Sequence, residues 1–125
     1  MSDILCVGQM VVDILVRNVD EVDFRIDTKR VEQIMIRNGG DCLNTAIDLR
    51  QLGADVGFSG VLGKDMLGGF LYETLEKSGI DTSGIYFDEK SRTSSVVALI
   101  NEKGERIFLY YGGSNDALTI DKVDP

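Results

Sequence analysis

Two groups of residues in this sequence have the types and spacing to do chemistry. The first is Gly39-Gly40-Asp41-Cys42-Leu43-Asn44. Adjacent glycines let the backbone turn tightly, take positive φ and approach a ligand closely. The residues after them have a helical pattern. Cys42, Thr45/Ala46, Leu49 and Leu52 recur at helical spacing, and Gly53 stands at the stop position. A glycine turn that opens onto a helix leaves backbone N–H groups free there. Asp41 and Asn44 project from that first turn. A carboxylate that accepts, and a carboxamide that accepts and donates, suit a ligand with several hydroxyl groups. The plainer alternative is an ordinary N-cap after a tight turn. The second group is Asp13, between the apolar runs Met10–Val12 and Ile14–Val16. It either faces solvent on an alternating strand or meets a ligand at the carboxyl end of the first strand.

Other chemistries are excluded or disfavoured. The 125 residues contain no histidine, which removes Ser-His and Cys-His nucleophiles and the usual zinc sites. Gly60-Val61-Leu62-Gly63-Lys64-Asp65 hints at a phosphate loop, but Phe58 stands where the first glycine belongs and Asp65 where a magnesium-binding Ser or Thr should be. The dinucleotide fingerprint is absent after Gly8, so a nucleotide-dependent oxidoreductase is disfavoured. Asp41 alone, without phosphate-binding partners, does not make a transferase. A net charge of −8 argues against nucleic acid or an anionic membrane as partner. There is no basic leader and no long apolar run, so a cytoplasmic protein with buried free Cys6 and Cys42 is expected.

The chain must then supply elements that bring the two groups together. At 125 residues it has room for one modest domain. Ile4–Val7 reads as a buried strand. Residues 18–29 read as a polar loop and Val31–Arg37 as a half-exposed strand. The first helix comes after the glycines. Asp55–Leu62 reads as a second buried strand, Asp65 as the N-cap of a second helix ending at Gly79, Ile80–Gly84 as a turn and Ile85–Phe87 as a third strand. This alternation predicts a parallel α/β sheet. Ser94–Ile100 and Arg106–Tyr111 around a Gly104 turn form a hairpin, expected to join residues 12–16 and 31–37 in a separate small sheet. Gly112–Asp116 reads as a loop. Three core strands leave an open sheet edge, so the sequence reads as the front of a larger domain or as one whose edge a partner covers. In an open α/β sheet both Asp13 and the glycine-led helix fall at the carboxyl ends of the strands, where ligands bind. The small sheet would cover them with Ala98, Ile100, Phe108 and Tyr110, unless these are simply core. Apolar walls with a few placed polar groups suit a sugar or nucleoside.

Several segments together resemble the PfkB, or ribokinase-like, carbohydrate kinases. Gly39-Gly40-x-x-x-Asn44-x-Ala46-x-x-Leu49-x-x-Leu52-Gly53-Ala54 resembles the first signature of that family. Gly8–Asp13 resembles its sugar-binding first strand, and Gly60–Gly68 its G-x-x-G-x-D-x-x-G segment. Gly79-Ile80-Asp81-Thr82 resembles its G-V-D-T, and Gly104-Glu105-Arg106 fits its lid hairpin.

The resemblance implies a ribokinase-like α/β/α parallel sheet, here incomplete, with a small β-sheet lid. Core elements would span about 3–9 and 40–88, and lid strands about 11–17, 31–37 and 94–111, within one unit over 1–125. It implies that Asp13, Gly39, Gly40, Asp41 and Asn44 bind sugar hydroxyls, with Ala98, Ile100, Phe108 and Tyr110 as lid contacts. The Gly39–Thr45 segment is similar to members acting on keto-deoxy sugar acids and on fructose-type sugars. The complete family enzyme uses ATP and Mg2+ with a catalytic Asp in a Gly-Ala-Gly-Asp loop, and an N-x-x-E motif serves the metal. The Gly-Ala-Gly-Asp loop does not occur here. The chain is therefore expected to hold no catalytic residue, to bind neither ATP nor metal by itself, and to be inactive alone. The competing expectation is a non-catalytic sugar-binding or dimerisation module, since lids of this family can pair between subunits.

Overall fold

The structure is a computed structural model that describes residues 2–123. Its first sheet contains β1 (Ile4–Val7), β4 (Val56–Gly63) and β5 (Asp81–Asp88), in the order β1-β4-β5 and all parallel. The intervening helices are α1 (Asp41–Gln51) and α2 (Met66–Lys77). Both pack on one face. Leu43 and Ala46 of α1 and Leu71 and Leu75 of α2 close over Cys6, Val56, Phe58 and Leu62 to make the core. Parallel strands joined by helices bury such runs because each crossover lays a helix on the sheet. Of the three layers expected, the described residues build the sheet and one helix layer. The other sheet face carries Leu5, Val7 and Tyr86, all exposed, and the outer edge of β1 has no neighbouring strand among the described residues.

The second sheet has the order β3-β2-β6-β7, built from β2 (Val11–Arg17), β3 (Gln33–Gly39), β6 (Ser95–Ile100) and β7 (Arg106–Tyr111). β2 runs antiparallel to β3 and parallel to β6, and β6–β7 is the expected hairpin. Residues 113–117 and 120–122 form short 3-10 turns, the first lying against β4. Among the described residues, no helix is long and apolar enough to cross a membrane.

Three elements differ from expectation. β3 is shifted to Gln33–Gly39, so Gly39 pairs with Val11 as a strand residue. β5 begins at Asp81, where a turn was expected. The turn-forming residues there serve an irregular pairing: Gly57 opposes Asp81 but Ser59 opposes Gly84, leaving an extra residue in β5. Asp81 Oδ1 accepts from Ser83 N–H at 2.9 Å across that irregularity. The Gly112–Asp116 loop is mostly helical turn, buried at Ser114 and Asn115.

Asp65 is the N-cap of α2, as expected, accepting from Gly68 N–H at 2.8 Å. It does more than cap. Its carboxylate also accepts from Thr93 Oγ1 at 2.6 Å and Thr93 N–H at 2.9 Å, while Thr93 Oγ1 accepts from Gly63 N–H at 2.9 Å. The start of α2 is thereby tied to the residues that lead into β6. Burial works to raise the Asp65 pKa, but the hydrogen bonds from Thr93 and Gly68, with the charge of Arg92, outweigh it and hold the carboxyl below the usual range.

Candidate functional site

The sheets meet where β2 leaves the core and where β3 returns to it. β2 carries Asp13 out along the small sheet. β3 brings Gly39 back beside Val11, and α1 starts two residues later. Asp13 and Gly39 lie diagonally on one face of the β2–β3 ladder. The Asp13 carboxylate rests on Gly39: a Cβ built there would lie 2.3 Å from Asp13 Oδ2 and 2.7 Å from its Cγ. Gly39 is therefore glycine for space. The expectation that both glycines take positive φ holds only for Gly40, at φ 98° and ψ 134°. Its own Cβ would sit 2.9 Å from the Gln9 carbonyl oxygen.

Gly40 is the N-cap residue of α1 and has no side chain to cap with. The first bond of the helix is Asn44 N–H to the Gly40 carbonyl at 3.0 Å, so the N–H groups of the preceding turn have no helical partner. Asp41 and Asn44, three residues apart and both exposed, share that end of the helix. The structure thus brings the Asp13 carboxylate onto the residue that leads into α1. Burial pushes the Asp13 carboxyl above its ordinary value. Among the described residues nothing donates a hydrogen bond to it. It is a half-buried carboxylate with open lone pairs beside a helix N-terminus, suited to receive hydroxyl donors.

Cys42 lies next to Asp41. Burial, with the neighbouring Cys6, pushes its thiol up to about 11, which disfavours the thiolate that a nucleophile needs. A helix N-terminus favours the thiolate, but desolvation prevails here. Both cysteines are free.

The register also places the expected lid residues. Tyr110, Val96 and Asp13 oppose one another across three strands, as do Phe108, Ala98 and Leu15, so Ala98, Ile100, Phe108 and Tyr110 share the face of Asp13. They differ in what they offer. Ala98 and Ile100 are buried at 1% and 5% exposure, whereas Phe108 and Tyr110 stand 62% and 56% exposed. The aromatic pair supplies the apolar surface of this face. On the opposite face, the 18–31 loop forms a groove of about 400 Å³ with Val16 and Leu99, lined by Val19, Val22, Phe24 and Ile26. Asp13 lies outside that groove.

Sequence reasoning missed a polar cluster at the junction of the sheets. Ser94, Ser114 and Asn115 are buried, and Asn115 Oδ1 accepts from Met10 N–H at 3.2 Å. Its members lie far apart along the chain, so no local pattern announces it.

The model of the pfkB family carbohydrate kinases matches residues 1–124. The chain is 38% identical to a fructokinase of Salmonella typhimurium over 72 residues, 58% of this chain and 24% of that protein. Among solved structures, the fructokinase from Xylella fastidiosa with bound ATP superposes with a TM-score of 0.80 at 25% identity, over 99% of this chain and 38% of that one. An uncharacterised sugar kinase from Pyrococcus horikoshii in complex with ATP gives 0.78 at 28% identity, over 97% and 38%. The aligned region spans about a quarter of the curated relatives, 21% to 24% for the three first compared.

Proposed function

The chain belongs to the pfkB family of carbohydrate kinases, and from that premise we propose that it is the sugar-binding N-terminal part of an ATP-dependent kinase that phosphorylates a sugar hydroxyl. The observation that carries this reading is the Asp13 carboxylate lying against Gly39, directly before the free N–H groups of α1. Asp13 accepts hydrogen bonds from sugar hydroxyls. The first-turn N–H groups, Asp41 and Asn44 complete the polar side, and Phe108 and Tyr110 cover an apolar face of the ring. Gly39 and Gly40 act by leaving room. Ala98 and Ile100 shape the lid from within the sheet. Fructose is the first sugar to try, because the relatives at 34% to 41% identity are fructokinases.

The chain supplies the acceptor site and not the transfer site. Phosphoryl transfer needs positioned phosphates and groups that offset their charge. No Gly-Ala-Gly-Asp loop occurs in the sequence. Among the described residues, no three Asp, Glu, Cys or His side chains cluster to hold a metal ion. These residues do not fit ATP with Mg2+, which in this reading bind the part of the kinase domain that the relatives carry beyond the matched span. Two measurements test the proposal. Calorimetry with fructose should detect binding that Asp13→Ala weakens, and a coupled assay with ATP and magnesium should detect no turnover by the 125-residue chain. Turnover, or fructose affinity indifferent to Asp13, would overturn it.

A second reading concerns assembly. Ile34, Ile36, Ile107 and Leu109 share the face of the small sheet opposite Asp13, and all are exposed. An apolar sheet face of this extent favours a homodimer through the lid, in a soluble cytoplasmic protein. Sedimentation equilibrium should show a dimer that Ile107→Lys with Leu109→Lys dissociates.

A further inference from the structure

β2 leaves the core at Met10 and reaches Asp13 three residues later. Two backbone N–H groups on this stretch are held by the far end of the chain. Met10 N–H donates to Asn115 Oδ1 at 3.2 Å, across 105 positions of sequence. Val12 N–H donates to the Ser94 carbonyl at 3.1 Å. The two acceptors are themselves joined. Asn115 N–H donates to Ser94 Oγ at 2.8 Å, Ser94 N–H donates to Ser114 Oγ at 3.1 Å, and Ser94 Oγ donates to the Gly112 carbonyl. Ser114 N–H closes the set on the Arg92 carbonyl at 2.9 Å. Ser94 and Ser114 are fully buried and Asn115 is 7% exposed.

Polar side chains are poor filler for the interior of a small domain, because any bond left unmade costs more than an apolar contact would. Here every bond falls at one joint. Two of the three connections between the sheets pass through it, the entry to β2 and the entry to β6, and so does the exit from β7 into the 113–117 turn. The third connection is Gly39-Gly40, which has no side chain to tie. A satisfied buried network is rigid, and Asp13 directly follows Val12, whose N–H is the last on β2 that this network holds.

We propose that Ser94, Ser114 and Asn115 are positioning residues of the acceptor site: they pin β2 at Met10 and Val12 and so hold the Asp13 carboxylate over Gly39, at the start of α1, before any sugar arrives. Their importance for binding rests on the sugar-binding reading of Asp13. Their hold on Asp13 does not, and can be measured without a ligand.

The experiment tracks the Asp13 carboxyl carbon by NMR through a pH titration of the 125-residue chain. Asn115→Ala removes the acceptor of the Met10 N–H. Leu75→Ala, in the helix layer, serves as a control that loosens the core without removing any hydrogen bond of the joint. Arg37, the charged residue opposite Asp13 on β3, and Asp41 are untouched by either change. Asn115→Ala should move the Asp13 titration toward that of a solvent-exposed carboxylate, and Leu75→Ala should leave it in place. Ser94→Ala should act in the same direction and takes over if Asn115→Ala does not fold. An Asp13 titration unchanged by both joint variants, or moved equally by Leu75→Ala, overturns the proposal. Fructose calorimetry on the same samples separates the two claims. A roughly fivefold or greater loss of affinity in the joint variants only, the scale of one hydrogen bond, supports both. A shifted titration with no fructose binding by the unmodified chain keeps the joint and removes the sugar.

Discussion

Gly39→Ala tests the site through a single methyl group. Gly39 is a strand residue without positive φ, so alanine is conformationally acceptable there. Its Cβ would stand 2.3 Å, 2.7 Å and 2.9 Å from the Oδ2, Cγ and Oδ1 atoms of Asp13, and the carboxylate must leave. Asp13 can leave by rotating about χ1, at a cost of about 0.5–1.5 kcal/mol if the new position is off-rotamer. Replacing glycine returns about 0.4–1 kcal/mol through the unfolded chain. The two nearly cancel, so stability should change by under about 1 kcal/mol. Binding should change more, because the displaced carboxylate forfeits its bonds to the sugar. At about 1.5–3 kcal/mol for hydrogen bonds to a charged group, the loss is roughly 10- to 150-fold in Kd. Urea denaturation gives the first quantity and fructose calorimetry the second. A cycle with Asp13→Ala decides the mechanism. If Gly39→Ala acts through Asp13, the double variant binds no worse than Asp13→Ala alone. Additive losses, or Gly39→Ala with unchanged affinity, refute the reasoning.

Gly40→Ala should do the reverse and act on the fold. Its φ of 98° and the 2.9 Å approach to the Gln9 carbonyl oxygen should cost about 1–3 kcal/mol, read as a lower urea midpoint; an unchanged midpoint contradicts it. Asp65 should make stability pH-dependent. Its pKa is lowered in the folded chain, so its contribution is full above the ordinary carboxylate range near pH 4 and is lost as pH falls through the folded value. Asp65→Asn should therefore lower stability at pH 7 by about 1 kcal/mol, the difference between hydrogen bonds to a charged and to a neutral acceptor, and narrow the gap to wild type near pH 3; a gap constant over this range contradicts it. Cys42, pushed up to about 11, should be about one part in a thousand thiolate at pH 8. Its alkylation in the folded chain should lag an unfolded control by at least tenfold, and parity between the two contradicts the burial argument.

Much of the architecture is legible in the residues because its signals are local. The helices announce themselves through Ala46, Leu71 and Leu75 at helical spacing, and Asp65 stands where a cap belongs; the stripe expected on α1 from Cys42 to Leu52 is offset, because the helix buries Leu43 and ends with Leu52 in water. The hairpin is legible from Gly104 between two β-rich runs. The start of β5 is not legible, because Asp81-Thr82-Ser83-Gly84 has turn chemistry, and only the partner strand decides whether those residues bend the chain or bulge it. Gly39 and Gly40 look alike in sequence, yet one is glycine for the room Asp13 needs and the other for its φ. That difference arises from β2, some 25 positions away. The Ser94–Ser114–Asn115 joint has no local signal, because its meaning lies in a backbone N–H at Met10.

The second face of the core sheet has a practical consequence. Ser59 and Val61 are buried on it and Lys122 lies 5.3 Å over the Tyr86 ring, but Leu5 and Val7 face water beside a β1 edge that has no strand partner among the described residues. What keeps two such patches apart at neutral pH is mutual repulsion between molecules with 21 acidic and 13 basic residues. Added salt shortens the range of that repulsion, and acid removes it by neutralising carboxylates. The isolated polypeptide should keep best dilute, near neutrality and at low ionic strength. It should bind phenyl resin in ammonium sulfate and come off as the salt is withdrawn.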